Sequence, residues 1–176
     1  TDQAKWGFKL FTGKARCNGC HRVSKKHALF TDNRLHNTGI GYEQTMSKRP
    51  LTHRITIAPG VSIEVESDQI TSVSNDKIND LGLYEITQNP DDRWKYKTPT
   101  LRNIALTKPY MHNGQMNSLE QVIRFYNRGG IANPGLSPLI QPLGLSEMEI
   151  RQLLAFLDSL TGDHVDRLES TETNQY

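Results

Sequence analysis

Both cysteines of this 176-residue chain fall within five consecutive residues, Cys17-Asn18-Gly19-Cys20-His21. A C-x-x-C-H run is the attachment signature of a c-type haem. The spacing has a chemical reason. Two thiols three residues apart can each add to one haem vinyl group, and the next side chain then lies under the iron. A neutral imidazole nitrogen is a good axial ligand there, so Cys17 and Cys20 read as covalent anchors and His21 as the proximal ligand. Three other chemistries use paired cysteines. A thioredoxin-like redox pair wants a βαβ setting, and none surrounds this motif. A structural zinc site needs two more ligands with a second clustered spacing, and there is no further cysteine. A plain disulfide would leave His21 unexplained.

Composition is consistent with a chain that closes around such a group. Hydrophobic residues make up 35% of the sequence and charged residues 23%, which describes a globular domain with a lean core. A haem held in that core adds a large apolar body. The net charge of +2 is too small to suggest nucleic acid as a partner. The longest apolar run, Leu153-Leu154-Ala155-Phe156-Leu157, is far short of a membrane span. No apolar signal region opens the sequence, so a signal peptide is expected either to have been removed or to lie on a longer precursor. Haem is attached on the outer side of bacterial membranes, and the expected compartment is therefore periplasmic or otherwise exported.

Residues 4–15 place Ala4, Phe8, Phe11 and Ala15 at helical spacing and run straight into the cysteine motif. Residues 29–41, rich in Asn, Asp, Thr and Gly, read as an ordered loop. Residues 51–57 alternate apolar and polar, and Val61, Ile63 and Val65 repeat the pattern after Pro59-Gly60. This is a β-hairpin with its turn at 58–61. A polar surface excursion follows over 67–80. Between 81 and 116, Pro90, Pro99 and Pro109 discourage any long helix. Two helices close the domain. Ser118 with Gln121 and Ser146 with Glu149 form capping boxes, followed by Leu119, Val122, Ile123 and Tyr126, and by Ile150, Leu153, Leu154, Leu157 and Leu160. The stops are Gly129-Gly130 and Gly162. The fold class is mainly α, a cytochrome c-like haem domain over 1–162 with a hairpin and polar insertion at about 44–80. The tail, 163–176, has little to bury.

An iron held by His21 has one further axial position. Methionine there raises the reduction potential, a second histidine lowers it, and tyrosine favours the ferric state. The candidates are Met46, Met111, Met116, Met148, His27, His36, His53, His112 and Tyr126. Met148 opens a helix and reads as surface or filler. His27 lies in a lysine-rich turn and reads as solvated. Met111, His112 and Met116 share a Gly-containing loop that could present a ligand. Tyr126 shares the apolar face of its helix, where a core tyrosine is the plainer reading.

The stretch Lys97-Thr98-Pro99-Thr100-Leu101-Arg102-Asn103-Ile104-Ala105-Leu106-Thr107-Lys108-Pro109-Tyr110-Met111-His112-Asn113-Gly114 closely resembles the hallmark of the di-haem cytochrome c peroxidase and MauG family. The resemblance extends to residues 29–41, to Phe125-Tyr126-Asn127-Arg128-Gly129-Gly130 and to Pro142-Leu143-Gly144-Leu145-Ser146. It leaves out only the hairpin and polar stretch between about 44 and 80. Family members have two haem domains, and this chain is similar to the second, which carries the electron-transfer haem. In MauG the distal ligand is a tyrosine seventeen residues after the proline of P-Y-x-H. Counting from Pro109 lands on Tyr126, which the resemblance makes the leading distal ligand ahead of Met111 or Met116. A ferric centre lowers the phenol's pKa toward the required phenolate. The resemblance also implies that Arg102 and His112 lie near the haem and its propionates, where a guanidinium pairs naturally with a carboxylate. It implies an inter-domain calcium held by the carbonyls of Thr107 and Pro109.

The family's peroxide-binding haem and the tryptophan between its haems belong to the other domain. One C-x-x-C-H motif cannot carry both haems, and Trp94 precedes the hallmark, so it reads as a haem-edge or core aromatic. The resemblance therefore implies one covalent haem c working with a second haem-bearing domain or subunit. The other expected partner is an electron donor or a protein substrate, in a peroxide-dependent oxidoreductase. Two rival readings stand beside it. One is a free-standing mono-haem electron carrier. The other is a chain that is itself the catalyst, with an open sixth site.

Overall fold

The computed structural model describes residues 1–24, 28–46, 52–66 and 80–163. His27, Leu51, the polar stretch 67–79 and the tail beyond Asp163 lie outside the described residues, as does the side chain of His53. In chain order the elements are α1 (Asp2–Thr12), β1 (Leu35–Asn37), α2 (Ile40–Met46), β2 (Thr52–Ala58), β3 (Val61–Glu66), α3 (Tyr84–Thr87), β4 (Lys95–Lys97), α4 (Leu119–Asn127) and α5 (Glu147–Asp158). Single 3-10 turns lie at Cys17–Gly19, Pro90–Asp92 and Ile104–Leu106. No helix among the described residues is long and apolar enough to cross a membrane.

Helix α1 starts at Thr1, whose hydroxyl oxygen accepts the Ala4 N–H, with Asp2 in the first turn where the helix dipole favours negative charge. It ends earlier than the 4–15 periodicity predicts. The chain turns at Gly13, and the Ala15 N–H bonds back to the Leu10 carbonyl, so Ala15 is buried without being helical. α5 packs across α1, and Gly7 sits at the crossing. A Cβ there would collide with the Gln152 carbonyl and come within 2.7 Å of the Phe156 Cβ. That close approach brings Phe8 and Phe11 to ring-centroid distances of 5.4 and 5.1 Å from Phe156. Phe30, Ile40, Leu101, Leu119, Ile123, Phe125, Ile150, Leu153 and Leu157 complete the core around them.

The two closing helices form where their caps predict. At α5 the box is reciprocal: Ser146 Oγ accepts from the Glu149 N–H, and Glu149 Oε2 accepts from the Ser146 N–H at 2.8 Å. At α4 only half of it forms. Ser118 Oγ accepts from the Gln121 N–H, but Gln121 Oε1 accepts from Asn117 instead.

β2 and β3 pair antiparallel with Ile55 opposite Ile63, and the register slips by one residue between Thr56 and Ala58. Ile55, Ile57, Val61 and Ile63 are all exposed, so the alternation marks a ribbon rather than a core strand. The loop expected at 29–41 contains β1, which pairs antiparallel with β4 and sets His36 opposite Tyr96. Nothing in the local pattern announces that pairing.

Candidate functional site

The cysteine motif is one tight turn. The 3-10 turn Cys17–Gly19 follows Arg16 in left-handed conformation, and the His21 N–H bonds the Cys17 carbonyl at 2.9 Å. Asn18 Oδ1 then accepts the Val23 N–H at 2.9 Å and closes the exit. Cys17 and Cys20 are half-buried and not joined in a disulfide. Burial pushes the Cys17 thiol up to about 12. Burial, and then the negative charge of Asp32, push Cys20 up to about 11. A reactive redox pair needs the opposite, a thiolate stabilised near neutral pH. These thiols are protonated at pH 7, which counts against the thioredoxin-like reading.

The His21 ring is held by backbone carbonyls, Phe30 foremost and Pro99 beside it. Its Nδ1–H donates to the Phe30 carbonyl at 2.8 Å. That bond fixes the tautomer and leaves Nε2 with its lone pair, the form in which imidazole binds a metal. Burial lowers the His21 pKa, against opposing pulls from the Phe30 carbonyl, Asp32 and the Pro99 carbonyl, and so favours the neutral ring.

Beside the motif lies a second buried pair. Asp32 Oδ2 accepts from His36 Nε2 at 2.8 Å, and the Asp32 side chain is 2% exposed. Burial alone would raise the Asp32 carboxyl. Bonds from His36, the Arg34 N–H and Thr98 outweigh it and hold the group at about 2. Cys20 Sγ, an Asp32 oxygen and a His36 nitrogen lie within 4.8 Å of one another. A structural zinc site takes four ligands. Here Asp32 is already engaged by its three partners, and His36 Nδ1 lies 3.4 Å from the Ser137 hydroxyl.

The candidates for the opposite axial position separate by environment. Tyr126 packs on the core beside Phe125, with ring centroids 5.1 Å apart, in the same cluster as Cys17. Burial raises its phenol, and charge on Cys20 and then Cys17 would raise it further, which places Tyr126 within electrostatic reach of both cysteines. Met111 is partly buried against the same cluster, in left-handed conformation, and Met116 is buried with its backbone paired to Tyr110. Met46 and Met148 are exposed at 47% and 61%. His36 is committed to Asp32.

His112 stacks on Tyr96, with centroids 3.5 Å apart and rings 9° from parallel, and its Nε2 lies 4.0 Å from Asp80. Arg102 donates from Nε to the Ala28 carbonyl at 2.8 Å and lies over the Phe30 ring. Thr107 and Pro109 sit on the exposed surface after the 3-10 turn, on either side of Lys108, and the Lys108–Pro109 peptide is cis. Trp94 donates from Nε1 to Thr45 and meets Tyr42 edge-on, a partly buried aromatic.

Sequence reasoning passed over Phe30, Asp32 and Thr100. Phe30 acts through a carbonyl that every residue type possesses, so no letter signals it. Asp32 had a signal. Thr31 Oγ1 accepts from the Asn33 N–H and Asp32 Oδ1 from the Arg34 N–H, the local turn chemistry expected of a Thr/Asp/Asn cluster.

No family model matches the sequence. The chain is 36% identical over 171 residues to a cytochrome-c peroxidase of Denitromonas iodatirespirans, covering 97% of this chain and 43% of that protein. It is 34% identical over 160 residues to the methylamine utilization protein MauG of Methylorubrum extorquens, covering 91% of this chain and 35% of that protein. Among solved structures it resembles a MauG-like protein associated with microbial copper homeostasis, with a TM-score of 0.61 and 30% identity over 93% of this chain and 48% of that one. The di-haem peroxidase BthA of Burkholderia thailandensis shares the fold, with a TM-score of 0.58 at 20% identity over 93% of this chain and 43% of that one. The chain thus spans less than half the length of these relatives.

Proposed function

Because the chain belongs to the family of di-haem cytochrome c peroxidases and MauG, we propose that it is the electron-transfer haem portion of a MauG-like or peroxidase-like oxidoreductase. Residues 1–162 form the cytochrome c-like domain, with the β2–β3 hairpin and the polar stretch to about residue 80 as an insertion, and 163–176 form the tail. The domain would hold one haem c through Cys17 and Cys20, with His21 and Tyr126 as the side chains offered to its iron. The observation that carries this reading is the geometry at His21. A half-buried, neutral imidazole with Nδ1–H tied to the Phe30 carbonyl offers Nε2 beside two protonated, unpaired thiols. This donor set suits a c-type haem and suits neither a redox dithiol nor a closed zinc site.

When bound, the haem supplies one-electron chemistry between ferric and ferrous iron. The residues of this chain set which state is favoured. His21, hydrogen-bonded through Nδ1, is a stronger donor than a free imidazole and stabilises the ferric side. Tyr126 acts in the same direction as phenolate. Burial is what chiefly holds its phenol up, so the phenolate would depend on the positive charge of a ferric centre beside it. Arg102 and His112 belong to the surroundings of the haem, and Thr107 and Pro109 offer backbone carbonyls to a calcium ion.

The rest of the enzyme is a second haem-bearing domain or subunit at which peroxide is activated, with an electron donor or a protein side chain as reductant. The compartment is the periplasm or another exported location. The test is the native mass and haem count of the protein as it comes from its source. Association with a second haem-bearing domain or chain is expected. A lone chain with one haem, stable, fast in electron exchange and indifferent to peroxide, would establish the free-standing carrier instead.

A further inference from the structure

The loop that orients His21 is held in place from a distant part of the chain. Phe30 has φ +54, a left-handed conformation that a bulky residue keeps only when its surroundings over-determine it. Its ring is anchored in the core, 4% exposed and edge-on to Phe11 at 5.9 Å. The ring alone does not fix the peptide plane whose carbonyl receives the His21 Nδ1–H. That plane is bracketed by side chains and backbone of residues 98–102. Arg102 donates from Nε to the Ala28 carbonyl at 2.8 Å, and Thr100 Oγ1 donates to the Leu29 carbonyl at 2.6 Å. In return Thr31 Oγ1 donates to the Thr98 carbonyl at 2.7 Å. The Arg102 guanidinium also lies over the Phe30 ring, 5.6 Å from its centroid. Two of these bonds therefore hold the peptides that lead into Phe30, the third ties down the Thr31 side chain just after it, and the Phe30 carbonyl between them receives the His21 Nδ1–H.

We infer that Arg102, with Thr100, is a positioning residue for the axial imidazole: by gripping the Ala28 and Leu29 carbonyls it fixes the Phe30 carbonyl that orients His21. This rests on the reading of His21 as the haem's proximal ligand. Arg102 needs no contact with the metal for the role. The imidazole's donor strength depends on how well its Nδ1–H is bonded, and that bond depends on a left-handed peptide that the clamp holds. Loosening the clamp weakens the bond, makes the imidazole a poorer donor and disfavours the ferric state.

The experiment compares Arg102→Met, Arg102→Lys and Thr100→Val with the wild-type holoprotein. Methionine keeps the stem over Phe30 and removes the donor, whereas lysine retains a cationic donor. The readouts are covalent haem content, the midpoint potential, and exchange of the His21 Nδ1 proton by NMR. In Arg102→Met and Thr100→Val, both remaining readouts are taken on the haem-loaded fraction. The ferric-to-ferrous ratio at fixed potential should fall about tenfold, the lower end of what loss of an outer-shell partner does. For a one-electron couple this is a rise of about 59 mV. The Nδ1 proton should exchange faster, and Arg102→Lys should recover part of both effects. Unchanged potential and proton exchange in Arg102→Met with haem attached would overturn the inference, whatever the thermal stability. If that variant attaches no haem, Thr100→Val decides on the same readouts. A wild-type chain that never attaches haem would overturn the proximal-ligand reading itself, an outcome visible before any variant is made.

Discussion

Asp32 offers a direct test of how the buried pair beside the cysteine motif contributes to stability. Its carboxyl drops from an ordinary 3.8 to about 2 in the folded chain. At 1.36 kcal/mol per pH unit, that difference is worth about 2 kcal/mol of stability. With the side chain 2% exposed, solvent screening removes little of it. The folded value is depressed, so the stabilisation is fully present above pH 4 and is lost as the pH falls through 2. Asp32→Asn keeps the shape and an acceptor for the Arg34 N–H but removes the charge that His36 and Thr98 bond. The variant should therefore lose about 2 kcal/mol at pH 7, or roughly 4–8 °C in Tm for a chain of this size. Urea or thermal unfolding at pH 7, 5, 3.5 and 2.5, with haem content matched, reads both the gap and its pH dependence. The gap should be constant down to about pH 4 and then narrow. A variant as stable as wild type at pH 7, or one whose deficit is unchanged at pH 2.5, would refute the electrostatic account.

Three other substitutions test the frame and the axial assignment. Gly7→Ala adds up to about 1 kcal/mol of helix propensity but drives a methyl into the Gln152 carbonyl, so overpacking of about 1–3 kcal/mol should win. Thermal unfolding should show a net loss of about 1–2 kcal/mol, while Gly19→Ala, whose Cβ meets nothing within 4 Å, should stay within about 0.5 kcal/mol of wild type. Ser146→Ala removes the α5 cap and leaves the Glu149 backbone N–H without its acceptor, at a cost of about 1 kcal/mol in urea unfolding. Tyr126→Phe, in the haem-loaded protein, should change the ferric visible spectrum and raise the midpoint potential, and an unchanged spectrum would exclude Tyr126 as a ligand.

What the sequence made legible and what it hid divide along one physical line. Features closed within a few residues were readable: the Ser146–Glu149 box, the stop at Gly129-Gly130, and the hairpin whose alternation places Ile55 opposite Ile63. The two thiols and imidazole of the haem motif are likewise a local pattern. β1 and β4 were not readable, because neither three-residue strand has a pattern of its own and each exists through the other. The boundary of α1 was misjudged for a related reason. Ala15 continues the apolar spacing because the core needs it, whereas the backbone has already left the helix at Gly13.

The same division runs through the site and bears on how such a motif should be read. C-x-x-C-H specifies which atoms attach a haem, and any chain bearing it makes that statement. How strongly His21 donates is decided by a backbone carbonyl nine residues on, in a peptide turned left-handed at a phenylalanine, which the sequence does not favour there. The bonds that hold this peptide come from 71 and 74 residues further along the chain. The role proposed for Thr100 and Arg102 is therefore invisible in the motif and comes into view only when the two segments are brought together. The identity of the bound group is a local property of the sequence, and its tuning is a tertiary one. On that proposal, a substitution at Arg102 would alter the redox behaviour of the site while every residue of the attachment motif stays in place.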